Sequence, residues 1–129
     1  MGEGFPSITE NEWLLMEIVW EKGSCTAADF VKGMDGVREI TARTIRVMIK
    51  RMVKKGILEY EVDEHNSTVF HYRARYTKEE CVREKSRSFK NAFFSGNGNL
   101  MLATMVKQED LSDQEVKELI QLLEARKGE

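Results

Sequence analysis

The sequence predicts a mainly α-helical chain with one small β-hairpin: an N-terminal helix-turn-helix extended by the hairpin, then a C-terminal helical region. Three observations point there. Ser or Thr followed three residues later by an acid occurs at four places ahead of a run with helical period: Thr9 with Glu12, Thr26 with Asp29, Thr77 with Glu80, and Ser112 with Glu115. In that pairing the hydroxyl and the carboxylate each satisfy an orphan backbone N–H at a helix start. From Leu58 to Ala74 the period becomes alternating instead of helical. Proline, which breaks helices, occurs once, at Pro6.

After Thr9, residues Trp13, Met16 and Trp20 form an apolar stripe with Leu15 and Val19 beside it, and Gly23 is placed to end this first helix. A short second helix runs from about Thr26 to Asp35, its apolar positions Ala27, Phe30, Val31 and Met34, and stops at the Gly36 region. Thr41 offers the cap of a third helix, in which Ile45, Met48, Ile49 and Met52 keep the spacing of a buried face up to Gly56. Leu58, Tyr60 and Val62 then alternate with Glu59 and Glu61, the stretch from Asp63 to Ser67 makes a turn, and Thr68 to Ala74 is rich in β-branched and aromatic residues. Three helices followed by a hairpin is the winged-helix arrangement. From Thr77 the period is helical again, with Val82, Lys85, Phe89, Ala92 and Phe93 on one stripe, a break from Ser95 to Asn99, a compact apolar helix from Leu100 to Val106, and a last helix after Ser112. The predicted domains are therefore a winged helix over residues 1–76 and a helical dimerisation region over residues 77–129.

The helices of the second region carry apolar faces too large for a few helices to hide from water on their own. A second copy of the chain is the simplest cover, with Phe89, Phe93, Leu100, Leu102, Met105, Val116, Leu119, Ile120 and Leu123 as the expected contacts.

At 129 residues the chain is too short for a multi-lobed enzyme. No stretch approaches the roughly 18 to 20 uninterrupted apolar residues of a membrane span, so no membrane insertion is expected. The start, Met1 to Ser7, lacks the basic and apolar regions of a secretory signal. A cytoplasmic location is expected, with Cys25 and Cys81 reduced and most simply read as buried or incidental thiols.

Lys plus Arg is 20 and Asp plus Glu is 22, a formal net charge of −2 that on its face argues against a nucleic-acid partner. The balance conceals a local asymmetry. Between Arg38 and Lys55 seven basic residues stand against Glu39 alone, a net of +6. With the apolar face of the third helix turned inward, its opposite face displays Arg43, Thr44, Arg46, Val47 and Lys50, with Arg51 and Lys54 along the flank. A major-groove helix needs this chemistry: Arg for guanine, Thr and Val for phosphate or thymine methyl, and Lys for phosphates. Basic solvated faces are common, so position decides. This one lies on the third helix of a helix-turn-helix and precedes a hairpin whose second strand carries His71, Arg73 and Arg75. The expected partner is double-stranded DNA. Arg46 and Thr44 are the base-edge candidates, Thr41, Arg43, Lys50, Arg51 and Lys54 support them, mainly on phosphates, and His65, Asn66 and Arg73 of the wing add backbone or minor-groove contacts.

Rival functions have less support. The chain has two histidines, His65 and His71, both in the hairpin, and no HExxH, Gly-rich phosphate loop or Gly-x-Ser-x-Gly elbow, so no catalytic residue, metal or cofactor is expected. A winged helix that binds only protein is the stronger rival, but it has no need of Arg43, Arg46, Lys50 and Arg51 on one face.

Ile8 to Trp20 resembles the first helix of the penicillinase and methicillin-resistance repressor family (BlaI/MecI), which includes copper-responsive members. Thr44-Ile45-Arg46 and Met52-Val53-Lys54-Lys55-Gly56 resemble its recognition-helix core and exit, and Lys107 to Ser112 resembles its C-terminal segment. The resemblance runs from about Ile8 to Ala125 and implies a dimeric winged-helix repressor of bacterial operator DNA. It also implies relief by a membrane sensor protease that cuts in the first segment after the glycine-rich break, a bond that falls at Thr104–Met105. The family has Asn-Phe there and this chain has Thr-Met, so Met105 also reads as one more apolar dimer contact, and both readings stay open. Copper-responsive members carry paired Cys-x-Cys motifs near the C-terminus; this chain has no cysteine after Cys81.

Overall fold

Each of the four Ser/Thr-acid signals is a helix start in the computed structural model, which describes residues 4–128. Met1 to Glu3, part of the Met1–Ser7 start considered above, and Glu129 lie outside the described residues. The helices are α1 (Glu10–Lys22), α2 (Ala27–Met34), α3 (Ala42–Lys55), α4 (Lys78–Phe94), α5 (Gly98–Gln108) and α6 (Asp113–Lys127); strands β1 (Leu58–Val62) and β2 (Phe70–Ala74) lie between α3 and α4. Thr9, Thr26 and Ser112 make reciprocal capping boxes with Glu12, Asp29 and Glu115, and Thr77 and Glu80 exchange the same pair of bonds. Thr41 caps α3, and Gly56, with φ at +84°, ends it.

The chain divides into two compact units, residues 1–85 and 86–129. The first has an interior. Ile8, Leu15, Met16 and Val19 of the α1 region, Phe30 and Met34 of α2, and Ile45, Met48, Ile49 and Met52 of α3 are buried together with Ile57, Leu58 and Cys81. The central line of α1 is Leu15, Met16 and Val19, with Trp13 and Trp20 at its edge, edge-to-face with ring centroids 5.3 Å apart. The indoles stay at the margin because each N–H needs a polar partner: Trp13 donates to Glu17 and Trp20 to the carbonyl of Tyr76. Gly33 lets α1 and α2 close up, since a Cβ there would stand 2.7 Å from Ile18 Cδ1.

β1 and β2 pair antiparallel, with Tyr60 opposite Tyr72 and Val62 opposite Phe70. Tyr60, Val62, Phe70 and Tyr72 thus share one face, and Glu59, Glu61, His71 and Arg73 the other. One feature escapes period reading: Cys25, just before α2, exchanges both backbone bonds with Tyr72, at 2.9 and 2.7 Å, and so adds a single-residue third strand to the hairpin. Burial pushes the Cys25 and Cys81 thiols up to about 11, which suits the reading of both as buried thiols.

In the second unit no described residue is buried. Asn97, read above as part of the break, caps α5 by accepting from the Leu100 N–H, so that helix begins at Gly98. Ser95 and Gly96, both at positive φ, make the turn.

Candidate nucleic-acid interface

The periodicity of α3 sorts its side chains into two sets. Ile45, Met48, Ile49 and Met52 anchor it in the core; Arg43, Thr44, Arg46, Val47, Lys50, Arg51 and Lys54 are exposed. At its start the Thr41 hydroxyl accepts from the Thr44 N–H (3.1 Å) and donates to Thr44 Oγ1 (3.0 Å). Thr41 is therefore spent on the cap, with the Thr44 hydroxyl beside it at the exposed helix start.

Pairing divides the seven basic residues of the Arg38–Lys55 window, a division that composition does not reveal. Lys55 Nζ lies 2.7 Å from Glu12 Oε1 and 3.1 Å from the Ser7 carbonyl. Arg38 donates to Asn11 Oδ1 at 2.5 Å and stands 3.9 Å from Glu10. Arg43, Arg46, Lys50, Arg51 and Lys54 have no ion pair among the described residues. Five uncompensated cations on one exposed face make a site for a polyanion.

Glu12 is 2% exposed, and burial alone would raise its pKa; the Lys55 ammonium and the Thr9 N–H outweigh that and hold the carboxyl below its ordinary value. Its charge faces Lys55 and Thr9 rather than the exposed face of α3.

The hairpin lies beside the basic face of α3. Arg46, Thr26, Thr68, Phe70 and Tyr72 line a groove of about 460 Å³ that brings together the start of α2, the exposed face of α3 and the hairpin. Burial raises the Tyr72 phenol, as does Tyr60, with Arg46 opposing them. At the tip, Asp63 accepts from the His65 and Asn66 N–H groups and lies 2.8 Å from His71 Nε2. Those contacts, His71 foremost, hold its carboxyl below the ordinary value. The His65 side chain is 91% exposed. Asn66 Oδ1 is taken by Thr68, so the outward chemistry of Asn66 is its amide N–H group. Arg73 stands apart from the α3 cations: its guanidinium meets Glu61 at 2.6 Å and Glu59 at 3.1 Å, and those contacts push its pKa further up. Its charge is already compensated by two carboxylates, which weakens its pull on a phosphate.

In the second unit, Phe89, Phe93, Leu100, Leu102, Met105, Val116, Leu119, Ile120 and Leu123 are all exposed, Phe93 to 73%. Thr104–Met105 lies inside α5, where Thr104 Oγ1 donates to the Leu100 carbonyl at 2.8 Å. Among the described residues no helix is long and apolar enough to cross a membrane.

Comparison with known proteins agrees with this geometry. The penicillinase repressor family model matches residues 8–125. The penicillinase repressor of Bacillus licheniformis is 30% identical over 123 residues, covering 95% of this chain and 94% of that protein. The methicillin resistance regulatory protein MecI of Mammaliicoccus sciuri is 29% identical over 116 residues, 90% of this chain and 92% of that one. Among solved structures, the DNA-binding domain of the repressor BlaI matches with a TM-score of 0.51 at 24% identity over 59% of this chain and 89% of that chain. A mutant of S. aureus MepR matches with a TM-score of 0.51 at 16% identity over 94% of this chain and 78% of that chain. These two structural likenesses establish the fold, a winged helix. With nearly its whole length matched by the family model, the chain belongs to the penicillinase repressor family.

Proposed function

We propose that this chain, a DNA-binding transcriptional repressor, works as a homodimer that sets α3 of each subunit into successive major grooves of a roughly palindromic operator on double-stranded DNA. Residues 1–76 read the DNA and residues 77–129 join the subunits. Arg46 and Thr44, near the start of α3, reach base edges; Arg43, Lys50, Arg51 and Lys54 meet phosphates, Val47 packs against a thymine methyl, and Thr41 holds the helix start. His65 and Asn66 touch the backbone or minor groove from the wing tip, and Arg73 adds a weak contact.

The observation that carries this reading is the division of charge on α3: five cations without a protein partner on its exposed face, and none of them spent on the fold. A protein-only interaction module leaves that unexplained. In the second unit the exposed apolar faces support a subunit interface. The Thr104–Met105 bond is helical, so cleavage there by a membrane sensor protease would first require α5 to unwind locally; we assign Met105 to the subunit interface.

Replacing Arg46 by Ala is expected to weaken operator binding by about 1 to 3 kcal/mol and to relax specificity at the base it reads. Gel shift at physiological salt checks it; an Arg46→Ala chain that binds as tightly as wild type removes Arg46 from the base-reading set.

A further inference from the structure

The first turn of α1 touches the chain on both sides of the recognition helix. Glu12 holds Lys55, the last residue of α3, and Ser7 adds its carbonyl to the same ammonium. One residue earlier, Asn11 accepts from Arg38, in the segment that leads from α2 into α3. These contacts bridge 43 and 27 positions of sequence, so they form only when the tertiary fold closes. One of the partners, Glu12, is a buried carboxylate whose neutralising cation is this lysine. We propose that Asn11 and Glu12 form a clamp that sets the angle at which α3 enters the major groove, and that Arg38 and Lys55 are positioning residues of DNA recognition, not phosphate contacts.

The proposal rests on the DNA-binding reading above and separates the basic residues of one window by what their charge does. A phosphate contact adds to the salt dependence of binding whatever the sequence. A positioning residue acts only where geometry matters, in the fit of Arg46 and Thr44 to base edges, because non-specific binding tolerates a tilted helix. The two roles therefore separate in the ratio of specific to non-specific affinity and in the salt slope.

Glu12→Gln isolates the clamp. Glutamine keeps the capping box, since it too accepts from the Thr9 N–H, but removes the charge that holds Lys55. It also deletes a negative charge from a protein that binds a polyanion, so electrostatics alone would strengthen binding to any DNA. The probes are a duplex selected from a random-sequence pool by the full-length wild-type chain and a shuffled duplex of equal length, titrated across salt concentrations. The clamp predicts that Glu12→Gln binds the selected duplex about tenfold more weakly, binds the shuffled duplex at least as well as wild type, and keeps the wild-type salt slope. Lys55→Arg, which retains a cation for the wild-type Glu12, should keep most of the selectivity. Lys54→Ala should instead lower the slope by about one and weaken both duplexes alike. If Lys55→Ala lowers the slope by about one, Lys55 is a phosphate contact and the clamp is wrong; if Glu12→Gln leaves the ratio of the two affinities unchanged, it is also wrong. Should Glu12→Gln fail to fold, Arg38→Gln, altered at an exposed contact, takes its place: a smaller specificity ratio at unchanged slope supports the clamp, and a slope lower by one overturns it. Failure of the DNA reading looks different, because a wild-type chain that selects no duplex and shows no salt slope fails before any variant is made.

Discussion

Residues 1–85 and residues 86–129 are built from helices with the same local grammar and reach opposite states of burial. Both use Ser/Thr capping boxes, and both place apolar residues at helical spacing. In the first unit those positions, with Ile57 and Leu58 beside them, close into a core of fourteen buried apolar side chains; in the second, none of the described residues is buried, and Leu122, Leu123 and Phe93 lie mostly open to water. Local signals are thus sufficient to make a helix and insufficient to make an interior. The first unit has three helices, a hairpin and the head of α4 to wrap round one centre, whereas the second has too few layers to enclose one, and its apolar faces stay open.

The contrast can be broken most directly at the open face. Replacing Leu119 and Leu123 with Asp should give monomers and reduce operator binding on the order of 100-fold, because each half-site must then be bound independently. Light scattering reads the mass; a dimer that survives both substitutions would place the interface elsewhere.

The next effect belongs to the closed unit. Lys55→Met removes the cation from Glu12 and should cost about 2 to 3 kcal/mol of unfolding free energy, below the range for a fully buried pair because Lys55 is 25% exposed. The acid limb gives a sharper signature. In the wild type the Glu12 carboxyl sits below its ordinary 4.5, so its contribution is present above that value and is lost as pH falls through the folded one. Without Lys55 its part of that lowering is lost, so the gap between variant and wild type should narrow as pH falls below the ordinary 4.5 in urea melts. A gap that stays constant with pH would mean that Lys55 acts by packing alone.

The smallest effect is expected at Arg73. Because Glu59 and Glu61 already hold its guanidinium, Arg73→Ala should change operator affinity by no more than about threefold. A tenfold loss in the same gel shift would show that Arg73 contacts DNA strongly despite both carboxylates.

These contrasts also mark what the sequence could and could not reveal. Capping is a three-residue affair, so Thr9, Thr26, Thr77 and Ser112 are legible as helix starts, and the alternation around Tyr60 is legible as a strand. The exposed set of α3 follows directly from its buried set by helical geometry, which is why Arg43, Arg46 and Lys50 could be named before any coordinates. Arg38 and Lys55 look the same as their neighbours in the sequence; only closure of α1 on α3 shows them to be paired. Cys25 carries no strand signal because its partner, Tyr72, comes much later in the sequence, after α2, α3 and β1. Trp13 and Trp20 fit an apolar stripe by spacing, yet the polar edge of each indole keeps it at the margin of the core. Asn97 illustrates the converse, a residue type common in breaks that here opens a helix.

The bridge between Cys25 and Tyr72 has a consequence for synthesis of the chain. The helix-turn-helix lies early in the sequence, but the strand that Cys25 pairs with, and the Tyr76 carbonyl that satisfies Trp20 across 56 positions, emerge only after the hairpin has been made. Contacts of such long span close late. A chain interrupted before the hairpin carries the Glu12–Lys55 and Asn11–Arg38 pairs but lacks Ile57 and Leu58 of the core and the strand that Cys25 pairs with. The winged helix therefore closes as one unit only when the chain through Tyr76 is available, although its three helices are complete by Lys55.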